Sequence, residues 1–315
     1  MTSNDSQIKL TKTIPPELNQ SRLDLALSTL LPEYSRAKIQ SWIKAGYVTV
    51  DNTILRAKDK IHTDQIISIN APITPISTQQ PQPIALDVIY EDLDIIVINK
   101  PVGLVIHPGA GQADNTMLNA LLYRYPELAN LPRAGIIHRL DKDTSGLLVV
   151  TRSLMAHTKL SADLQARKIK REYVAIVNGV INSGGTIEAP IGRHPIKRTH
   201  MAVKSSGKPA TTHYRIIKHF PAHTYLRVIL DTGRTHQIRV HLAHIGYPIV
   251  GDPTYGKGAR IPAKCSDALK QTLQQFKRQA LHAQRLGFMH PRTGKLMEWE
   301  VILPEDMEKL LQALQ

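Results

Sequence analysis

The chain has 315 residues, 42% of them hydrophobic, which is long enough for two domains, supplies an ample buried core and excludes a disordered chain. Forty Lys and Arg against twenty-six Asp and Glu give a net charge of +14, an excess that favours a polyanionic partner through counterion release. The single cysteine, Cys265, excludes an internal disulfide, no apolar run approaches bilayer length, and the first residues lack a signal peptide's basic and apolar regions; a cytoplasmic protein is expected.

Residues 1–18 read as an N-terminal tail. Over 19–71, Leu23, Ala26, Leu27 and Leu30 share one helical face, and a second helix starting after Ser35 carries Ile39, Trp42 and Ile43. Tyr47–Val50, the turn-prone pair Asp51-Asn52 and Ile66–Ile69 then predict strands. Residues 72–84 hold prolines at 72, 75, 81 and 83 and no charge, the composition of an extended linker. From 85 to 315 strands alternate with helices, beginning with Leu86–Tyr90 and Ile95–Ile98, so the larger domain is expected to be α+β with a mixed sheet. Leu147–Val150 predicts a buried strand, Ser153 caps a helix carrying Ala156, Leu160 and Leu164, and Tyr173–Val177 alternates with Tyr173, Ala175 and Val177 on one face. Between Glu188 and Asp231 there is no acid, while Arg193, Lys197, Arg198, Lys204, Lys208, Arg215, Lys218 and Arg227 are fixed cations; such a one-sign stretch suits phosphates. Further on, Ile238, Leu242 and Ile245 have helical spacing, with Thr235 as the expected cap and Gly246 as the stop.

Two polar constellations stand out. The first, His138-Arg139-Leu140-Asp141-Lys142-Asp143-Thr144-Ser145-Gly146, is a loop that runs into the Leu147–Val150 strand. It opens like a calcium loop, but Arg152 stands where the bidentate glutamate is needed; a carboxylate capping a turn is the ordinary alternative. The second is Gly233-Arg234-Thr235-His236-Gln237-Ile238-Arg239-Val240-His241. His236, His241 and His244 are close in sequence, yet no cysteine or HExxH pattern accompanies them, so no metal is expected. His107 and His138 read as hydrogen-bonded loop residues, and Lys100 as either a buried structural lysine or a phosphate contact.

With these, the segments Asn99–Leu104, Val105–Gly109, Arg171–Ala175, Arg193–Ala202, Gly251–Gly256 and Gln279–Ala283 complete an ordered series. The chain thereby resembles the RNA pseudouridine synthases of the large-subunit ribosomal type, and residues 19–71 resemble the S4 RNA-binding domain. The resemblance implies a largely antiparallel mixed sheet with an RNA cleft across its face. It implies isomerisation of uridine, in which the C1′–N1 bond breaks, the base turns and C1′ joins C5, with no cofactor, nucleotide or metal. Asp141 falls at the catalytic carboxylate, which either attacks C1′ or removes a ribose proton to give a glycal. A buried carboxylate needs a cation to stay ionised, and the resemblance assigns that pairing to Arg234. Tyr173 corresponds to the tyrosine against the flipped base, its phenol placed to assist removal of the C5 proton; a half-buried strand tyrosine is the alternative. Arg139 corresponds to an arginine that fills the space left by the flipped base, with a phosphate contact as the alternative. Arg36, Lys38 and Lys44 on the S4-like helix, and Arg193, Lys197 and Arg198, are candidate RNA contacts. The implied partner is 23S rRNA or a large-subunit precursor, at the helix 69 stem-loop facing the decoding centre, bound by a monomer. Other rRNA or tRNA sites, or a ribosome-assembly role without turnover, are the alternatives.

Overall fold

A computed structural model of the protein describes residues 7–31, 34, 36–72, 79–109, 111–197, 199–256 and 260–315. The helix expected after Ser35 starts at Arg36, and residues 73–78 of the expected linker lie outside the described residues.

The N-terminal unit comprises β1 (Gln7–Thr13), α1 (Leu23–Leu30), α2 (Arg36–Lys44), β2 (Val48–Val50) and β3 (Ile66–Pro72). The strands form an antiparallel sheet in the order β1-β3-β2. Residues 7–13 are therefore a sheet strand, correcting the expected tail. The period of two in Ile8-Lys9-Leu10 accounts for it, because Ile8 and Leu10 pack on the unit's core. That core joins Leu23, Ala26 and Leu27 of α1 to Ile39, Trp42 and Ile43 of α2, and both to Val48, Val50, Ile67 and Ile69 of the sheet. Asp51 and Asn52 turn the chain with φ of 47° and 65°, a left-handed pair that these short polar residues tolerate.

The larger unit continues with β4 (Val88–Glu91), β5 (Ile95–Lys100), α3 (Met117–Arg124), β6 (Ser145–Thr151), α4 (Leu154–Gln165), β7 (Lys170–Asn178) and β8 (Gly185–Glu188). Next come β9 (Ile191–Arg193), β10 (Met201–Val203), β11 (Thr211–His219), β12 (His223–Leu230) and α5 (Gln237–His244). It ends with α6 (Asp267–Gln275), β13 (Leu281–Met289), β14 (Leu296–Glu300) and α7 (Glu305–Ala313). Nine strands form one sheet in the order β4-β5-β6-β13-β7-β12-β11-β8, with β14 alongside β13; β9 and β10 form a separate hairpin. Only β6 and β13 run parallel, giving the α+β fold with a mixed, largely antiparallel sheet.

Both sheet faces are buried, which explains the unbroken apolar runs in β5 and β6. Ile96, Ile98, Leu148 and Val150 face the main core, whereas Ile95, Val97, Leu147 and Val149 face a second cluster with Leu160, Leu286 and Phe288. Ser153 caps α4 as expected, accepting a hydrogen bond from the Ala156 amide. Gly146 has φ +109°, and a Cβ there would lie 2.2 Å from the Ala283 carbonyl oxygen. Only glycine allows β6 to meet β13 at the point where the Asp141 loop enters the sheet. Among the described residues, no helix is long and apolar enough to cross a membrane.

Candidate active site

The Asp141 loop is fastened by segments remote in sequence. Lys100 is fully buried at the end of β5, and its ammonium donates to the carbonyls of Pro101 (2.6 Å), Leu104 (3.1 Å) and Lys142 (2.8 Å). Burial lowers the Lys100 pKa to about 7, against the pull of Asp143 and Asp141. Of the two readings of Lys100, the buried structural one holds. Arg278 donates to the Asp143 carbonyl, Gln279 to the Thr144 hydroxyl, and Ser145 shares a 2.9 Å hydrogen bond with His282. His138 is half-buried and accepts from the Val149 amide, and desolvation drives its pKa down to about 3, so it is a neutral structural residue.

The loop delivers Asp141 to the floor of a cleft of about 800 Å³, lined also by Arg139, Arg171, Tyr173, Arg234, His236 and Arg239. The cation that meets Asp141 is Arg239. Its Nη1 donates to Asp141 Oδ2 at 2.9 Å, while Nε and Nη2 hold both oxygens of Asp252 at 2.7 and 2.9 Å. Asp252 is fully enclosed and also accepts from the Thr254 and Tyr255 amides; although burial would raise its pKa, Arg239 and these amides hold it below the usual carboxylate range. Tyr255 lies under the guanidinium, 5.1 Å from ring centroid to Cζ. The two carboxylates raise the pKa of Arg239 despite its burial. Gly251–Gly256 is thus the clamp that aims Arg239.

The assignment of Arg234 as the partner of Asp141 is corrected by this geometry. Arg234 lies before α5, where its Nε donates to the Pro209 carbonyl at 3.1 Å and its amide to Gln237. Thr235 is not the cap either. His236 holds the N-cap position in a left-handed conformation, φ 56° and ψ 22°, a strained backbone for a residue other than glycine. The strain places the imidazole between Tyr255, whose hydroxyl is 2.8 Å from Nδ1, and Asp141, whose Oδ1 is 3.8 Å from Nε2. Burial, ahead of the opposing attraction of Asp141, lowers the His236 pKa. Asp141 Oδ1 has no hydrogen-bond partner closer than this among the described residues and is the oxygen open to a substrate.

Sequence reading passed over Arg239, and the signal was its company. A cation amid Ile238, Val240 and Leu242 in a helix buried on nearly every side must find a carboxylate.

Tyr173 on β7 lines the same cleft and is only 6% exposed; burial raises its phenol pKa, so the ring is neutral at physiological pH. Arg139 is exposed at the cleft wall, without an ion-pair partner among the described residues. Arg193 and Lys197 are exposed on and after β9; Arg198 lies outside the described residues. In the N-terminal unit Lys44 is exposed, Lys38 sits 5.7 Å over the Trp42 ring, and Arg36 pairs with buried Asp24 at 2.7 Å, tying α2 to α1.

The three histidines do not converge. His241 is buried between the Thr212 hydroxyl and the Ala189 carbonyl. Asp92, Asp94 and His290 do lie within ligating distance of one another, but they bond with Tyr90, Ser153 and Arg292 and with each other, and stand apart from the cleft.

A carboxylate held by a doubly paired arginine that packs over an aromatic ring, beside a mixed, largely antiparallel sheet, is the site of a known class of RNA-modifying enzyme. The family model for RNA pseudouridylate synthase matches residues 94–244, and that for the S4 domain matches 21–67. The chain belongs to the RNA pseudouridine synthase family and is an isomerase of that class, with an S4 domain ahead of the catalytic one. It is 55% identical over 301 residues to the ribosomal large subunit pseudouridine synthase D of Pseudomonas aeruginosa, covering 96% of this chain and 94% of that protein. It is 51% identical to the enzyme of the same name from Escherichia coli K12, covering 98% and 95%. Among solved structures it is similar to human RNA pseudouridylate synthase domain containing 1, with a TM-score of 0.54 and 26% identity over 75% of this chain and 97% of that one. The human domain containing 4 protein shares the fold, with a TM-score of 0.57 and 24% identity over 72% and 92%.

Proposed function

We propose that this enzyme converts uridines of 23S rRNA, in the mature or precursor large subunit, to pseudouridine, within the helix 69 stem-loop facing the decoding centre. It does so as a monomer in the cytoplasm. The observation that carries the reading is the Asp141–Arg239–Asp252 array at the cleft, because a protein that only bound RNA would have no use for a carboxylate aimed into it by a doubly paired arginine. The large-subunit substrate follows from the names of relatives that match this chain over nearly its whole length.

The target base, flipped from its stack, rests on Tyr173. Asp141 Oδ1 meets the ribose, either at C1′ as nucleophile or at the C2′ proton as base, and the C1′–N1 electron pair leaves with the base. After rotation the base attacks C1′ through C5, releasing the Asp141 carboxylate or, on the glycal route, taking the C2′ proton back from it, and the C5 proton then departs. Substrate and product contain the same atoms, so the chemistry calls for no redox partner, nucleotide or metal. Arg139, the exposed cations Arg193, Lys197 and Lys44, and the half-buried Lys38 track the RNA backbone; Arg198 belongs to the same basic stretch as Arg193 and Lys197.

A site-resolved pseudouridine map of cellular rRNA, with and without the protein, tests the substrate. Pseudouridines in one 23S loop should vanish on deletion and return on re-expression. An unchanged map with slowed subunit maturation would instead favour an assembly factor.

Tyr173 supplies a second test. Tyr173→Phe should turn over poorly yet still capture the flipped base, while Tyr173→Ala should lose about a further 1–3 kcal/mol of capture through lost stacking. Affinities and single-turnover rates on 5-fluorouridine RNA would show it; a fully active Ala variant would make Tyr173 an ordinary strand residue.

A further inference from the structure

Arg171 is a buried charge of the cleft with no carboxylate to explain it among the described residues. It stands two positions before Tyr173 on β7, so both side chains emerge on one face, roughly 7 Å apart along the strand. Its residue exposure is 6%, its Nε has no hydrogen-bond partner, and no carboxylate among the described residues pairs with it. Of the other cleft arginines, Arg239 holds two carboxylates, Arg167 faces Asp231 at 3.8 Å, Arg234 bonds the Pro209 carbonyl, and Arg133 and Arg139 are exposed to solvent. Glu172, the neighbour in sequence, points to the opposite face towards Arg227 and Arg285. Gly233 makes room for the guanidinium, since a Cβ there would lie 2.8 Å from Arg171 Nη1. A guanidinium buried without a counter-ion is costly to the fold, and its donors at the wall of a cleft await oxygen atoms from a ligand.

We propose that Arg171 receives an exocyclic carbonyl oxygen of the target uracil and takes up the negative charge that the base acquires as the C1′–N1 bond breaks. The inference rests on the pseudouridine reading above. When that bond breaks, its electron pair goes to N1, and the uracil anion spreads the charge over N1, O2 and O4. C1′ is satisfied by Asp141 or by loss of the C2′ proton to it. A donor fixed beside Tyr173, where the base lies, is preorganised for this charge. The geometry of isomerisation also suits a single fixed donor. Turning uracil about its N3–C6 axis exchanges N1 with C5 and O2 with O4, so a guanidinium that holds one carbonyl oxygen before rotation meets the other afterwards. Arg171 therefore retains the detached base while it turns.

Leaving-group acidity separates this role from its rivals. Fluorine at C5 makes uracil a more acidic, better-leaving base. Single-turnover consumption of uridine RNA and 5-fluorouridine RNA would be measured for the wild type, Arg171→Gln and Arg171→Lys, with RNA affinity at several salt concentrations and thermal stability without RNA. The Gln variant should slow uridine about 100-fold, keep its affinity and its thermal stability, and show a deficit at least ~10-fold smaller on 5-fluorouridine; Lys should rescue in part. Equal deficits on both substrates, or none, would overturn the proposal. A weakened affinity with a salt slope lower by about 1 would make Arg171 a phosphate contact, and a marked loss of thermal stability would make it structural. If the wild type itself left uridine unchanged, the functional reading would fail first.

Discussion

Replacing Arg239 by methionine is expected to remove nearly all activity and about 3–5 kcal/mol of stability, because it strands one enclosed carboxylate, Asp252, and unmoors the reactive one, Asp141. The same change at Arg234 removes one bond to the Pro209 carbonyl and should cost about 1 kcal/mol. The pH dependence should change sign. In the wild type the folded Asp252 pKa is depressed, so its contribution is present above the unfolded value of about 3.9 and fades as pH falls through the folded value. Without Arg239, burial dominates and raises that pKa. The buried Asp252 then destabilises the variant at neutral pH, and the variant should recover stability as pH falls towards about 4. Thermal unfolding from pH 4 to 8 measures this; a variant losing stability in parallel with the wild type on acidification would mean that Arg239 is not the counter-ion of Asp252.

Asp141→Asn is expected to abolish isomerisation, with a loss on the order of 10⁴-fold or more, while folding and RNA binding stay close to wild type. The amide oxygen can still accept from Arg239, and Arg239 keeps its two-pronged hold on Asp252, so little structural change follows. What disappears is an oxygen able to attack C1′ or accept a proton. Tritium release from C5-labelled uridine in rRNA is the direct assay, and appreciable turnover by the purified variant, free of host enzyme, would remove Asp141 from the mechanism.

The two-domain layout, the α+β class and the Asp141 loop were legible because each is written locally, in the helix pair before residue 45, the strand periodicities and a contiguous polar motif. The N-terminal strand was missed because Gln7–Thr13 is short and polar on one face; its identity depends on β3 lying alongside, some sixty residues later. The partner of Asp141 was missed for a related reason. Arg234 and Arg239 are five residues apart, and which one reaches the carboxylate is decided by the left-handed turn at His236 and by Asp252 on the far side of α5. Neither constraint shows in the spacing of the motif. The Gly251–Gly256 and Gln279–Ala283 segments were legible as a pattern; their work as clamps on Arg239 and on the Asp141 loop became visible only with their hydrogen bonds.

The place of β13 in the sheet governs the order in which the enzyme is completed during its own synthesis. The strand carrying Tyr173 and the loop carrying Asp141 are not neighbours by themselves; β13, at residues 281–289, is inserted between β6 and β7 and joins them. A nascent chain that has already made both catalytic motifs still has a gap in its sheet until residues 281–289 leave the ribosome. Closure of that gap is a contact between residues more than a hundred positions apart, and such contacts form late. Fragments ending before β13 would carry every recognisable motif of the Asp141 loop and the Arg239 helix and have no active site.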